Sequence, residues 1–352
     1  MQCNPVPLAE CSFAPYADAS GTTFDALVPD GETPYMDAAG RTKTCRPGAI
    51  MRVAGVSDAT LNYASFEHTV EVLRRVDGVR LVTLSGIRGT RPAGGAPRAD
   101  FAGRRSELKP GLRAADAILN DAGARIAADI GVYTVTGPSL ELAGGERYIV
   151  ARLWGPDGSL VGVQRQTHLS RFEREHGLAR GDEITLFDID GISLGVVVGN
   201  DAWHPEVGRI MALRGVDLVA AVGVGVAAGE TMPKEITPNG AGRNTWAPSV
   251  ALRWGAIDAL WAQVQENQFW AVASGSHSVV LAPCEITAGM TGYLSCGRAV
   301  NDGQPSFAVG ELDDDARDRL IAHYPLLGLL NPVAYRRYLP ALYGGEAEEG
   351  RR

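Results

Sequence analysis

The residues best placed to do chemistry gather in a few short stretches. Asn200, Asp201 and His204 fall within five positions, directly after the apolar run Val196-Val197-Val198 and before Pro205-Glu206. That order sets a carboxylate and an imidazole at the corner between a buried strand and a helix. There Asp201 could orient His204 as a general base, and a histidine simply packed into the corner is the plainer alternative. A second stretch, Gln164-Arg165-Gln166-Thr167-His168, offers a permanent cation in Arg165 and a neutral amide in Gln166, with Glu173 and Glu175 following. Upstream, Arg88, Arg91, Arg98, Arg104 and Arg105 share one loop. They could hold an anionic small molecule through bidentate contacts, or form a solvated charged loop.

Other constellations carry less. Gly223-Val224-Gly225 follows an apolar strand but lacks the GxGxxG spacing of a dinucleotide loop. Ser276-His277-Ser278 pairs serine with histidine, yet neither serine sits in a GxSxG elbow, so a turn is expected there. The five cysteines are Cys3, Cys11, Cys45, Cys284 and Cys296. Cys3 and Cys11 could pair, or bind a metal with Cys45, but four ligands at recognisable zinc spacing are not present. No metal and no cofactor is expected.

Several ordered motifs resemble the nitrilase superfamily of carbon-nitrogen hydrolases. The stretch from Gly195 through Asn200-Asp201 to Pro205-Glu206 is similar to the family's buried strand that ends in Cys-x-Asp before a Pro-Glu helix start. Tyr148 to Trp154, the Gly155-Pro156-Asp157-Gly158 turn and Val161 to Leu169 resemble its hairpin ending in Tyr-Arg-Lys-x-His-Leu. The strand ending at Ser85-Gly86 resembles the one that ends in Pro-Glu, Gln263 to Trp270 resembles the Arg-Ala-x-Glu-Asn segment, and Leu330-Asn331-Pro332 with Tyr343 resembles the tail. The likeness runs over about residues 50 to 345. It implies an α/β (α+β) fold, a four-layer αββα sandwich of the carbon-nitrogen hydrolase type.

The same alignment sets Gly199 at the family's nucleophilic cysteine, Gln166 at its catalytic lysine and Gly86 at its general-base glutamate. No cysteine lies between positions 46 and 283, and the lysines are Lys43, Lys109 and Lys234 alone, so no small shift of register restores the triad. The family chemistry needs a thiolate to attack carbon, a carboxylate to take its proton and an ammonium to stabilise the tetrahedral intermediate. The first reading is therefore a member that keeps the fold but not the hydrolysis, with a binding or assembly role. Two alternatives stay open: a site rebuilt on Asp201, His204 or Gln166 for an amide-like or nitrile-like substrate, and a structural partner of an active homologue. Glu173 or Glu175 matches the second glutamate that supports the lysine in the family.

Positioning these residues requires strands and helices in alternation. Strands are expected over residues 51–56, 79–86, 132–135, 217–222, 269–274 and 278–281. Apolar spacing predicts helices carrying Phe66, Val70 and Leu73, then Leu112, Ala115, Leu119, Ala122 and Ile126, then Val250, Trp254, Ile257, Trp261 and Val264. Asp190-Gly191 marks a two-residue hairpin, and Pro205 suits a helix start because its missing N–H costs nothing there. The domain limits are an irregular N-terminal arm over residues 1–49, the hydrolase-like domain over 50–310, and a C-terminal interface segment with a flexible tail over 311–352.

With 45% hydrophobic and 21% charged residues, the composition suits a packed globular core. A net charge of -8 argues against nonspecific nucleic-acid binding. No apolar run reaches the roughly 20 residues needed to cross a bilayer, and the start of the chain lacks the features of a signal peptide. A cytoplasmic protein is expected, one that forms a homo-oligomer, dimer or larger, because the C-terminal segment and the helix after Val250 offer surplus apolar surface.

Overall fold

The computed structural model describes residues 35–36, 42–43, 50–58, 63–86, 110–224, 255–275, 277–297 and 305–343. In chain order the first half contains β1 (Tyr35–Met36), β2 (Thr42–Lys43), β3 (Ile50–Asp58), α1 (Tyr63–Arg74), β4 (Val79–Gly86), α2 (Pro110–Ile130), β5 (Tyr133–Ala143), β6 (Glu146–Trp154), β7 (Leu160–Arg165) and α3 (Arg171–Glu175). The second half contains β8 (Leu186–Ile189), β9 (Ile192–Val198), α4 (Pro205–Leu213), β10 (Leu218–Val224), α5 (Ala256–Asn267), β11 (Trp270–Gly275), β12 (Val279–Leu281), β13 (Tyr293–Cys296), β14 (Ser306–Asp313), α6 (Asp314–His323) and α7 (Pro332–Tyr343).

Two six-stranded sheets form, in the orders β14-β3-β4-β5-β6-β7 and β13-β12-β11-β10-β9-β8. β3, β4 and β5 run parallel in the first, and β9, β10 and β11 run parallel in the second. Alternation along each strand separates two apolar faces. Val53, Leu81 and Val135 of the first sheet meet Val196, Val198, Ala220 and Val272 of the second in a core between the sheets. On the outer faces, Val82 and Leu84 pack on α1 and α2 through Phe66, Val70, Leu119 and Ile126, while Val197, Val219 and Ala221 pack on α4 and α5 through Met211, Ile257 and Leu260. Each fully buried Val or Leu contributes about 1.5–3 kcal/mol over an exposed one. The result is the expected four-layer αββα sandwich.

Local chemistry explains the connections. Asp190 and Gly191 both take positive φ, 55° and 86°, as a two-residue hairpin with the primed turn requires. Pro205 opens α4, and the Asp313 side chain caps α6 by accepting from Ala316 N–H at 3.1 Å. α5 opens at Ala256, with Asp258 Oδ2 accepting the Gly255 N–H at 2.6 Å. The expected turns carrying Val250 and Trp254 lie outside the described residues, as do Cys3, Cys11, Cys45 and the tail from residue 344 onward.

Three expectations change. The strand placed at residues 132–135 is much longer, running as β5 to Ala143 and pairing with β6 along most of its length. β14 had no counterpart in the sequence reading, although it pairs with β3 over eight positions. The helix from Ala256 was expected to offer surplus apolar surface, but Ile257, Leu260 and Val264 are buried within the chain's own fold. Among the described residues the most exposed apolar side chains include Leu329, Val333 and Tyr338 at the C-terminal end, with Tyr335 and Leu339 beside them, while others such as Leu160, Ile210 and Met290 are scattered over the surface. Among the described residues no helix is long and apolar enough to cross a membrane.

Candidate functional site

β9 ends at Val198, and the chain turns through the short 3-10 segment Gly199–Trp203 before entering α4. Gly199 begins that turn at φ +50°, where a side chain would be strained, and it is part-exposed. Facing it is Gln166, the residue after β7, held by a hydrogen bond from its own N–H to Ile149 O and by the Gly181 N–H donating to its carbonyl, both at 2.8 Å. A Cβ added to Gly199 would come within 2.8 Å of Gln166 Oε1. The Gln166 amide nitrogen donates to His168 O and to Glu173 Oε2, each at 2.8 Å. Glu173, not Glu175, is therefore the partner of Gln166; Glu175 pairs with Arg171 on the surface. Ser170 N–H also donates to Glu173 Oε2 at 2.7 Å. Burial raises the Glu173 pKa above the usual carboxylate value, opposed by the hydrogen bonds from Ser170 and Gln166.

Asp201 is 2% exposed and serves as a hub. Its carboxylate accepts from Thr167 N at 3.0 Å, Thr167 Oγ1 at 2.9 Å and His168 N at 2.7 Å, and its Oδ1 lies 3.2 Å from His168 Nδ1. Because a carboxylate only accepts, this geometry assigns the proton to Nδ1 and leaves Nε2 of neutral His168 as an acceptor. Asn200 Nδ2 donates to His168 O at 3.3 Å. The expected pairing of Asp201 with His204 is thus corrected: the backbone after Gln166 delivers its N–H groups to Asp201, and His168 takes the remaining contact. His204 instead stacks on His168, ring centroids 3.9 Å apart and planes 17° apart. Burial first, then the neighbouring His168, lowers its pKa.

Gly86 ends β4. Ser85, beside it, accepts the Gly223 N–H of β10 at 3.2 Å, and β10 runs parallel to β9 with Val222 opposite Val198. Gly86 and Gly199 therefore stand at the same edge of the sandwich, the one reached by the C-terminal ends of β4, β9 and β10. Arg165 does not share this site: its Nε donates to Glu141 Oε2 at 2.7 Å, and its guanidinium lies 4.1 Å over the Tyr148 ring. Arg88 and the other loop arginines lie outside the described residues. Thr167 and Ser170 were not singled out in the sequence. Their types were a usable signal, since hydroxyl residues beside carboxylates commonly bond to them.

Around Gly199 the described side chains thus offer two carboxyl groups, two carboxamides and two imidazoles. Cys284 and Cys296 carry thiols, but they follow β12 and end β13, with β10 and β11 between them and β9. No group of three or more His, Cys, Asp or Glu residues fit to hold a metal occurs among the described residues. The arrangement can hold a small polar group by hydrogen bonds, and it can accept a proton at His168 Nε2.

Comparison with known proteins agrees with this architecture. A family model described as carbon-nitrogen hydrolase matches residues 116–283. Omega-amidase NIT2-B of Xenopus laevis is 29% identical over 107 residues, 28% of this chain and 39% of that protein, so the chain spans well under half the length of this curated relative. A carbon-nitrogen hydrolase from Helicobacter pylori G27 superposes with a TM-score of 0.58 at 17% identity, over 82% of this chain and 98% of that one. A mutant amidase from Nesterenkonia sp. AN1, solved after Michael addition of acrylamide at its active-site cysteine, gives a TM-score of 0.52 at 20% identity, over 82% of this chain and 99% of that one. The fold is that of the carbon-nitrogen hydrolases.

Proposed function

We propose that this chain is a non-hydrolytic member of the nitrilase superfamily, one that keeps the amide- and nitrile-processing fold and uses the part-exposed residues around Gly199 to bind rather than to cleave. The observation that carries this reading is the meeting of Gln166 with Gly199. Where a cysteine route needs a thiol and an ammonium face to face, this pair supplies a hydrogen atom and a neutral carboxamide. The neighbouring amidase structure has an active-site cysteine; no cysteine of this chain lies between positions 46 and 283. Without a nucleophile, no thioester forms, and without a cation beside it a tetrahedral oxyanion lacks its main stabiliser. Removing a whole catalytic set of this kind costs on the order of a millionfold in turnover.

The test is direct. Purified protein incubated with simple amides, nitriles and carbamoyl compounds, with and without a thiol-alkylating agent, should release no ammonia in either case. Alkylation-sensitive release would overturn the reading.

One observation favours the rebuilt-site alternative. His168, fixed through Nδ1 by Asp201 and Thr167, keeps Nε2 available as a base in the same cluster. Alkylation-resistant hydrolysis that disappears in His168→Gln would establish that reading in place of the first. A purely structural partner would have a closed site, whereas Gly199 and Asn200 are both part-exposed. Assembly as a homodimer or larger oligomer, and a cytoplasmic setting, belong to the same proposal; the exposed apolar side chains of α7 support the former.

A further inference from the structure

One acceptor in this site has no donor. Gln166 is 1% exposed, and its amide orientation is fixed from within: a backbone carbonyl such as His168 O can only accept, so the atom facing it at 2.8 Å is the nitrogen. Oε1 therefore points the opposite way, toward Gly199. The hydrogen bonds of this side chain are the two made by its nitrogen, and no described residue donates to Oε1. Gly199 is part-exposed, so this oxygen borders space that an outside group can reach. An acceptor with little access to water and no described donor gains from any ligand that brings an N–H or O–H.

Charge narrows the choice. The other end of the same amide is bonded to the Glu173 carboxyl. Neither Gln166 nor Glu173 forms an ion pair or hydrogen bond with an arginine or lysine among the described residues. A carboxylate largely removed from water and without a counter-cation attracts a positive group strongly. A cation at Oε1 would also polarise the amide in the direction that strengthens its bond to Glu173.

We propose that the part-exposed surface beside Gly199 binds the primary ammonium end of a small molecule, with Gln166 Oε1 accepting its hydrogen bond and the Glu173 carboxylate supplying the attracting charge. This deepens the non-hydrolytic reading and rests on it, since an amine is a group that such a fold would hold but not hydrolyse. Asp201 takes no part, because its oxygens are already occupied by Thr167 and His168.

Calorimetric titration of the full chain with n-butylammonium, butanamide and butyrate, three probes of matched length, tests the assignment. Butylammonium should bind at least about tenfold more tightly than butanamide, and butyrate should not bind at the same concentrations. Affinity for butylammonium should rise with pH as Glu173, whose pKa burial raises, loses its proton, and Glu173→Gln should flatten that rise. Gln166→Leu should weaken binding by about tenfold or more. Should either variant fail to fold, the side-chain amide resonance of Gln166 in the isotope-labelled parent gives a second readout, shifting with butylammonium and not with butyrate. Equal or tighter binding of butanamide or butyrate, or no butylammonium binding at all, overturns the assignment. Hydrolysis of butanamide would overturn the non-hydrolytic reading while leaving the ammonium preference measurable, so the two failures are distinct.

Discussion

Gln166 Oε1 lies 2.8 Å from the point where a Cβ on Gly199 would stand. The two residues belong to different sheets, and their contact closes the space that a larger side chain at 199 would occupy. Gly199 also holds φ +50°.

Replacing Gly199 by Cys or Ala should therefore destabilise the protein, by about 1–2 kcal/mol from the left-handed backbone alone. Displacing the doubly bonded Gln166 amide adds to that. Chemical denaturation of parent and variants measures it. The cysteine variant should hydrolyse no amide, because among the described residues no cation lies beside position 199 to hold a thiolate or a tetrahedral oxyanion. A stable variant with efficient turnover would contradict both the geometry and the proposed function.

His204 has its pKa lowered from 6.5 by burial and by the stacked His168, against the opposing pull of Asp201 and Glu206. A histidine whose folded pKa is depressed favours folding above its unfolded pKa and loses that contribution as the pH falls through the folded value. The parent should lose stability below about pH 6.5, and His204→Phe, which keeps a ring on His168, should lose less. Thermal midpoints in mildly acid and neutral buffer compare the two. Parallel pH profiles would rule the account out.

Asp116, on α2, accepts the Leu140 N–H at 3.0 Å. Burial pushes its pKa up to about 6, against the lowering effects of that hydrogen bond and of Arg152. Here the folded pKa is raised, so its contribution is greatest below the unfolded value of 3.8 and is lost as the pH rises through about 6. Asp116→Asn keeps an acceptor for Leu140 without the charge. It should be more stable than the parent at neutral pH, by at most about 3 kcal/mol, and should show no advantage at about pH 4. Denaturant midpoints at the two pH values decide it.

Gly123 sits where α2 crosses the first sheet, and a Cβ there would meet the Thr136 methyl and come within 2.8 Å of Trp154 Nε1. That nitrogen already donates to Thr136 Oγ1 at 2.9 Å. Gly123→Ala should force helix and sheet apart and cost about 1–3 kcal/mol, despite alanine's better helix propensity. A stabilised variant would show that the helix can shift freely.

Leu329, Val333, Tyr338 and their neighbours expose apolar surface at the end of the chain. Light scattering at micromolar concentration should give a mass well above the 37.2 kDa of one chain. Val333→Asp with Tyr338→Asp should return it to the single-chain mass without unfolding the sandwich.

Much of this molecule is determined by local sequence. β4 covers residues 79–86 as its apolar run implies, Asp190-Gly191 forms its turn because both positions need positive φ, and Pro205 starts α4. The absence of a thiol or an ammonium at positions 199 and 166 is likewise a fact of residue type. β14 escaped because three of its four inward-facing residues, Ser306, Ala308 and Gly310, are small and suited to a tight gap, with only Leu312 bulky; a Cβ on Gly310 would come within 2.6 Å of Val280 Cγ1. Small residues carry little apolar signal. Tertiary structure alone decided who partners whom. Asp201 serves Thr167 and His168 instead of His204, and Gln166 finds Glu173 instead of Glu175. A carboxylate is satisfied by whichever donors the fold delivers, and here they come from 33 and 34 positions away in the chain, a distance that residue spacing does not encode.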